Sequence, residues 1–134
     1  MKTRTIRQTV NFKADPHDVY ELLMDFELHS KFTGSKATIN REIGGKVEAY
    51  DGYLEGSNKE LIPDKKIVQK WRGSDWPEDW CSTATFQFKK APKGTKMIFV
   101  QTGVPDNEYQ STSEGWVEYY WERMSQTLSK RTRN

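Results

Sequence analysis

Hydrophobic and polar positions alternate along residues 4–13. Ile6, Val10 and Phe12 face one side, and Thr5, Arg7, Thr9, Asn11 and Lys13 the other. That is the period of a half-buried strand. The period then changes at Asp15-Pro16, a helix cap followed by proline at the first helical position. A helix is expected over about 16–25 with Val19, Leu22 and Leu23 inward, and a second, short one over about 28–33, ended by Gly34. From Lys36 on, six more strands are expected at about 36–40, 46–50, 53–60, 66–72, 82–89 and 95–102. Gly44-Gly45, Asp51-Gly52, Pro63-Asp64 and Pro92-Lys93-Gly94 supply turns, Asp51-Gly52 being the sharpest hairpin signal. Residues 73–81 form the one long loop of this block.

The pattern changes again over 111–130, STSEGWVEYYWERMSQTLSK. Val117, Tyr120, Met124 and Leu128 recur at i, i+3, i+7 and i+11, flanked by Trp116 and Trp121, which makes one apolar stripe on a helix. Glu114, Glu118 and Glu122 fall on another, solvated face. Ser111 and Glu114 have capping-box spacing, and Lys130 and Arg131 suit the negative end of the helix dipole. A helix with so wide an aromatic side needs a wide surface to cover it. The expected fold is therefore α+β: a curved, seven-stranded antiparallel sheet, two short helices after the first strand, and a long C-terminal helix gripped by the sheet.

Length and composition narrow the class. A chain of 134 residues is expected to form one domain, 1–134 with its core in 4–130. Hydrophobic content is 34%, but five Trp, six Tyr and six Phe each bury large areas. Cys81 is the only cysteine, so no internal disulfide can form, and no apolar run is long enough for a leader or a membrane span. A cytoplasmic protein is expected, with neither membrane nor nucleic acid as a partner. The net charge of +2 is unevenly placed. Lys2, Arg4, Arg7 and Lys13 at one end and Lys130, Arg131 and Arg133 at the other leave a body of 14 basic and 19 acidic residues, a net of −5. Basic ends of this kind suit solubility and helix-end charge, or contact with an acidic surface.

Candidate chemistry is sparse. His17 and His29 lie in the short helices without a His or Cys at metal-ligand spacing; His17 is expected to be solvated and His29 to lie at the surface or at a corner. Cys81 has no neighbouring base, and no glycine-rich turn opens a helix to cradle phosphate. No catalytic residue, metal or cofactor is expected. The aromatic residues say more. A sheet gripping an aromatic helix either closes on its own rings or leaves a cavity, whose candidate liners are Tyr50, Trp71, Phe86, Phe99, Tyr120 and Met124. Trp76 and Trp80 lie in the long loop. There Trp76 either folds back over the sheet edge or, with Trp80, faces a partner as an anchor.

Several motifs occur together in one order. IVQKWRGSDWP, FVQTGVP and EGWVEYYWERM resemble the C-terminal domain of the activator of heat-shock protein 90 ATPase. VNFKADPHDVYELLMD and GGKVEAYDGYLEG look like the same domain, and the resemblance covers residues 4–128. It implies the helix-grip, START-like fold of the birch-pollen-allergen superfamily. It also implies a non-enzymatic function: binding a heat-shock protein 90-type chaperone and modulating its ATPase cycle. Two-domain activators add an N-terminal domain and a short Asn-, Trp- and His-containing motif; this chain starts at the first strand, so weaker binding is expected. Other branches of the superfamily hold hydrophobic small molecules, the alternative role for a cavity between sheet and helix.

Overall fold

The computed structural model describes residues 2–132 apart from 51, 75 and 77–81; the side chains of 129–132 also lie outside the description. Seven strands form one antiparallel sheet in the order β1-β7-β6-β5-β4-β3-β2. They are β1 (Thr3–Phe12), β2 (Thr38–Ile39), β3 (Lys46–Ala49), β4 (Leu54–Ile62), β5 (Lys66–Gly73), β6 (Ser82–Ala91) and β7 (Gly94–Pro105). Every strand from β2 to β7 pairs with its neighbour in sequence. β1 closes the other side by pairing with β7, Ile6 opposite Gln101 and Phe12 opposite Thr95. The sheet is as expected, except that the second strand shrinks to two residues and the last runs to Pro105.

Helices α1 (Pro16–Met24) and α2 (Phe26–Thr33) follow β1. Asp15 precedes α1 as expected but makes no side-chain cap; its carboxylate accepts a bond from Lys90 Nζ instead, at 2.6 Å. The side-chain cap belongs to Asp25, which accepts from the backbone N–H groups of Glu27 and Leu28 and starts α2 two residues early. Gly34 ends α2 at φ 75°, the left-handed conformation that glycine adopts without strain.

The C-terminal helix differs from the expected regular one. A 3-10 turn at Asp106–Glu108 leads into α3 (Tyr109–Gly115), a π-helical segment at Trp116–Trp121, and α4 (Glu122–Thr132). Ser111 is therefore inside the helix rather than its cap, and its hydroxyl donates back to the Glu108 carbonyl. The π segment also changes which residues face the sheet. In an α-helix each residue turns the chain by about 100°. One extra residue per turn rotates everything before it by about that amount relative to everything after. Val117, expected in the centre of the stripe, is 40% exposed, and Trp116 takes its place with 5% exposed. Tyr120, Trp121, Met124 and Leu128 are buried, and Glu114, Glu118 and Glu122 are exposed as expected.

The core fills the space between sheet and helices. Ile6, Leu22, Met24, Ile67, Phe86, Met97, Phe99, Met124 and Leu128 are each under 2% or at most 2% exposed. Burial of each such side chain contributes roughly 1.5–3 kcal/mol.

Candidate functional site

Strand alternation places three glutamines on the inner face of the sheet. Gln8 lies between Ile6 and Val10, Gln69 between Ile67 and Trp71, and Gln101 follows Phe99 by two. Each accepts an indole N–H: Trp121 Nε1 to Gln8 Oε1 at 2.5 Å, Trp71 Nε1 to Gln69 Oε1 at 2.8 Å, and Trp116 Nε1 to Gln101 Oε1 at 2.7 Å. The amide nitrogens are also used. Gln101 donates to Ser82 Oγ at 2.6 Å, Gln69 to Asn58 Oδ1 at 2.9 Å, and Gln8 to the Ser113 carbonyl at 3.0 Å. A buried indole or amide left unpaired costs about 1–3 kcal/mol, so these chains fix which way each tryptophan points. Trp116 and Trp121 then stack at 5.3 Å with 16° between planes. They stand at i and i+5, the spacing that a π turn brings over itself.

Beside this stack lies a cavity of about 430 Å³. Tyr50, Trp71, Trp76, Trp116, Tyr119 and Tyr120 supply its aromatic walls, while Arg72, Gln101 and Glu108 are among its polar liners. Of the expected liners, Tyr50, Trp71 and Tyr120 meet here. Phe86, Phe99 and Met124 do not; they are 1%, 0% and 0% exposed and belong to the solid core. Trp116 is the reason. Its ring lies 4.7 Å from Phe99 and 5.9 Å from Phe86, fills the middle of the grip, and leaves open space only toward β4 and β5. Trp116 and Tyr119 were missed because the regular helical period puts Val117 in the stripe instead. Tyr53 and Leu54, after the β3–β4 turn, also line the cavity and carried no periodic signal of their own.

Trp76 is 6% exposed and turned to the cavity: of the two placements open to it, folded back over the sheet edge or facing a partner, its ring takes the first. Its N–H bonds to the Gly73 carbonyl at 3.0 Å, and its own carbonyl accepts from Arg72 Nη2 at 2.9 Å; the two bonds fold the loop back over the sheet. Trp80, Cys81 and Asp51 lie outside the described residues.

The expectation for His29 is corrected: it is 2% exposed, not at the surface. It stacks on Phe32 at 5.0 Å. Its Nδ1 donates to the Leu23 carbonyl at 3.1 Å, and Nε2 accepts from Tyr120 Oη at 2.9 Å. Burial lowers its pKa to about 4, so the ring is neutral at pH 7, consistent with one nitrogen donating and one accepting. Burial raises Tyr120 well above the ordinary tyrosine value and Tyr50 to about 12. Tyr50 Oη donates to the Tyr119 carbonyl at 3.0 Å, tying the β3–β4 turn to the π segment across the cavity. Tyr50 itself has φ 52°, an unusual conformation for a bulky residue. His17 is exposed as expected and meets Asp64 at 2.9 Å, whose hydrogen bond raises its pKa. Among the described residues no group of three or more His, Cys, Asp or Glu is placed to hold a metal.

The profile of the activator of Hsp90 ATPase homolog 1-like protein family matches residues 13–129. The chain belongs to this family. Among its relatives, the activator of 90 kDa heat shock protein ATPase homolog of Dictyostelium discoideum is 36% identical over 95% of this chain and 33% of its own length. Homolog 1 of Homo sapiens is 35% identical over 92% of this chain and 36% of its own. The chain thus spans about a third of the length of the curated relatives it matches. An HSP90 activator of Plasmodium falciparum has the same fold, with a TM-score of 0.83 at 24% identity over 96% of this chain and 97% of that one. So does the Aha1 dimer of Colwellia psychrerythraea, at 0.81 and 18% identity over 93% and 96%. The helix-grip arrangement of sheet and C-terminal helix is therefore that of the Hsp90-activator family. Among the described residues no helix is long and apolar enough to cross a membrane.

Proposed function

We propose that this domain is a chaperone cofactor that binds a 90 kDa heat-shock protein and modulates its ATPase cycle, without catalysing a reaction of its own. The observation that carries the reading is the likeness to the human and Dictyostelium activators, 35–36% identical over more than nine-tenths of the chain. A single domain of this size covers at most about 800 Å² of a partner, so affinity is modest and falls with salt. The loop bearing Trp76 and Trp80 is the proposed contact. With the Trp76 ring 6% exposed, its part is to brace that loop from beneath rather than to enter the partner. The domain is taken as one unit over 4–130, and the yeast relative's description as an Hsp90 co-chaperone supports a cytoplasmic setting.

The test is titration of the chaperone from the same organism, following binding and ATP turnover at low and moderate salt. Binding with altered turnover is expected, and Trp76→Ala should weaken it by ~1 kcal/mol or more with the fold intact. No change in either signal at ~100 µM protein would sink the reading. The cavity of about 430 Å³ supports a second reading, a hydrophobic small molecule held between Trp71, Trp116 and Tyr120. Native mass spectrometry of the freshly purified protein should then show a retained mass, and a bare polypeptide mass counts against it.

A further inference from the structure

The helices pack on one face of the sheet, the face of Ile6, Gln8, Phe86 and Phe99. The opposite face is built from the alternate residues, and the strand registers order them into rows. One row runs Arg7, Val100, Thr85, Val68, Glu60 from β1 to β4. The next runs Thr9, Ile98, Gln87, Lys66, Ile62, and at its end Asn11, Lys96 and Lys89 make a third. Three features of these rows stand out physically.

First, Lys89 and Lys96 are direct cross-strand partners on adjacent strands. Like charges in that position destabilise a sheet, so the pair costs the fold something. Second, the acids of this face are already engaged: Glu60 with Lys66 at 3.3 Å, Glu55 with Arg72 at 3.0 Å and Glu48 with Lys46 at 2.9 Å. Among the described residues, Arg7, Lys70, Lys89 and Lys96 have no such carboxylate. The face is left with uncompensated positive charge although the body of the chain is net acidic. Third, apolar side chains lie among these cations: Val68, Ile98 and Val100 are partly exposed, flanking Thr85 and Gln87 on β6, and Ile62 at the β4 end is 41% exposed. Cations interspersed with partly exposed apolar side chains are the pattern of a protein-docking face.

We propose that this outer face, over β1, β7, β6, β5 and β4, docks an acidic protein surface, its carboxylates seated over Lys89, Lys96, Lys70 and Arg7. The proposal rests on the chaperone reading above, and names a contact surface separate from the Trp76 loop. Five strands at about 4.8 Å spacing and six residues of β7 at about 3.4 Å give a patch of roughly 19 by 20 Å, or about 400 Å². That is half the area that a standard complex covers on each partner, so the contact is transient and salt-dependent. The partly apolar strip among the cations favours a protein over a nucleic-acid backbone, whose phosphates offer no apolar surface to cover it.

The Lys89–Lys96 register makes the test discriminating. Lys89→Glu puts opposite charges face to face, so Tm should rise by about 1–4 °C, while affinity for the chaperone should fall about tenfold at low salt, less at high salt. Lys31→Glu, an exposed α2 position, makes the same change in net charge away from this face and should leave affinity within about twofold of wild type. Wild-type binding that Lys89→Glu and Lys70→Glu leave intact would overturn the docking face but not the chaperone reading. Failure of the wild type to bind would overturn both. Should Lys89→Glu instead abolish retention on a DNA column without touching chaperone affinity, the face serves nucleic acid and the proposal is wrong.

Discussion

Acidification should unfold this domain earlier than its carboxylates alone would, because of one ring. His29 is 2% exposed, bonded through both nitrogens, with a folded-state pKa of about 4 against an ordinary 6.5. Between those values the unfolded chain takes up a proton that the folded chain refuses. The folded pKa is the lower of the two, so the stabilisation is complete above about pH 7.5, declines as pH falls through 6.5, and is exhausted below about pH 4. The loss amounts to about 2 kcal/mol at pH 5 and about 3 kcal/mol at pH 4, against a total stability on the order of 5–15 kcal/mol. Asp15 and Glu21 have pKa values lowered by Lys90 and Arg41, and their losses fall mainly below pH 5, outside the window. His17 acts in the opposite sense. Its bond to Asp64 raises its pKa, so its contribution is present at low pH and fades as pH rises. The measurement is therefore urea unfolding followed by tryptophan fluorescence in a His17→Asn background, at pH 7.5, 6.5, 5.5 and 5.0 and constant ionic strength. The urea midpoint should fall by about 1 M across the series. In His29→Gln the midpoint should be lower throughout but almost flat. A wild-type ring with equal midpoints at pH 7.5 and 5.0 would refute the burial argument, as would a slope that survives in His29→Gln.

Other changes probe the site more locally. Trp116→Phe removes the donor to Gln101 Oε1 and strands a buried acceptor, so stability should drop by roughly 1–3 kcal/mol in chemical denaturation. Tyr50→Phe loses the bond to the Tyr119 carbonyl; a cost of about 1 kcal/mol and faster amide exchange in the π segment are expected, and the Tyr50 phenol should ionise near pH 12 in an ultraviolet titration. Gly56→Ala would drive a Cβ into the Lys70 carbonyl oxygen across the β4–β5 ladder, so the variant should be destabilised by more than about 3 kcal/mol or fail to accumulate folded.

Sheet and site were legible to different degrees, for physical reasons. Alternation of side chains is a property of a strand by itself, so β1 and the strands from β3 to β7 could be read from residues such as Ile6, Val10 and Phe12. Helix entry at Asp15-Pro16 was equally local, although the carboxylate expected to cap α1 turned to Lys90. What could not be read depends on pairs far apart in the chain. His29 is buried because Tyr120, 91 residues away, supplies a donor and a ring edge. The π segment exists where Gln8 and Gln101, on different strands, each hold a tryptophan of the same helix. The signal available was the phase of those glutamines: each sits on the apolar side of its strand, where a polar side chain needs a buried partner.

The π segment also bears on how this helix can change length over time. A single residue added to a regular helix would rotate its two ends by about 100° relative to each other and pull one end off its partners. Here the wider turn holds the extra residue, and Val117, Glu118 and Tyr119 are turned out to solvent. Deleting a residue there would close the turn to ordinary pitch and cost the Trp116–Trp121 stack, while the phase of Met124 relative to Leu128 stays as it is. An edit in the π segment is thus confined to the tryptophan stack, whereas the same edit in α4 would shift Met124 or Leu128 off the core.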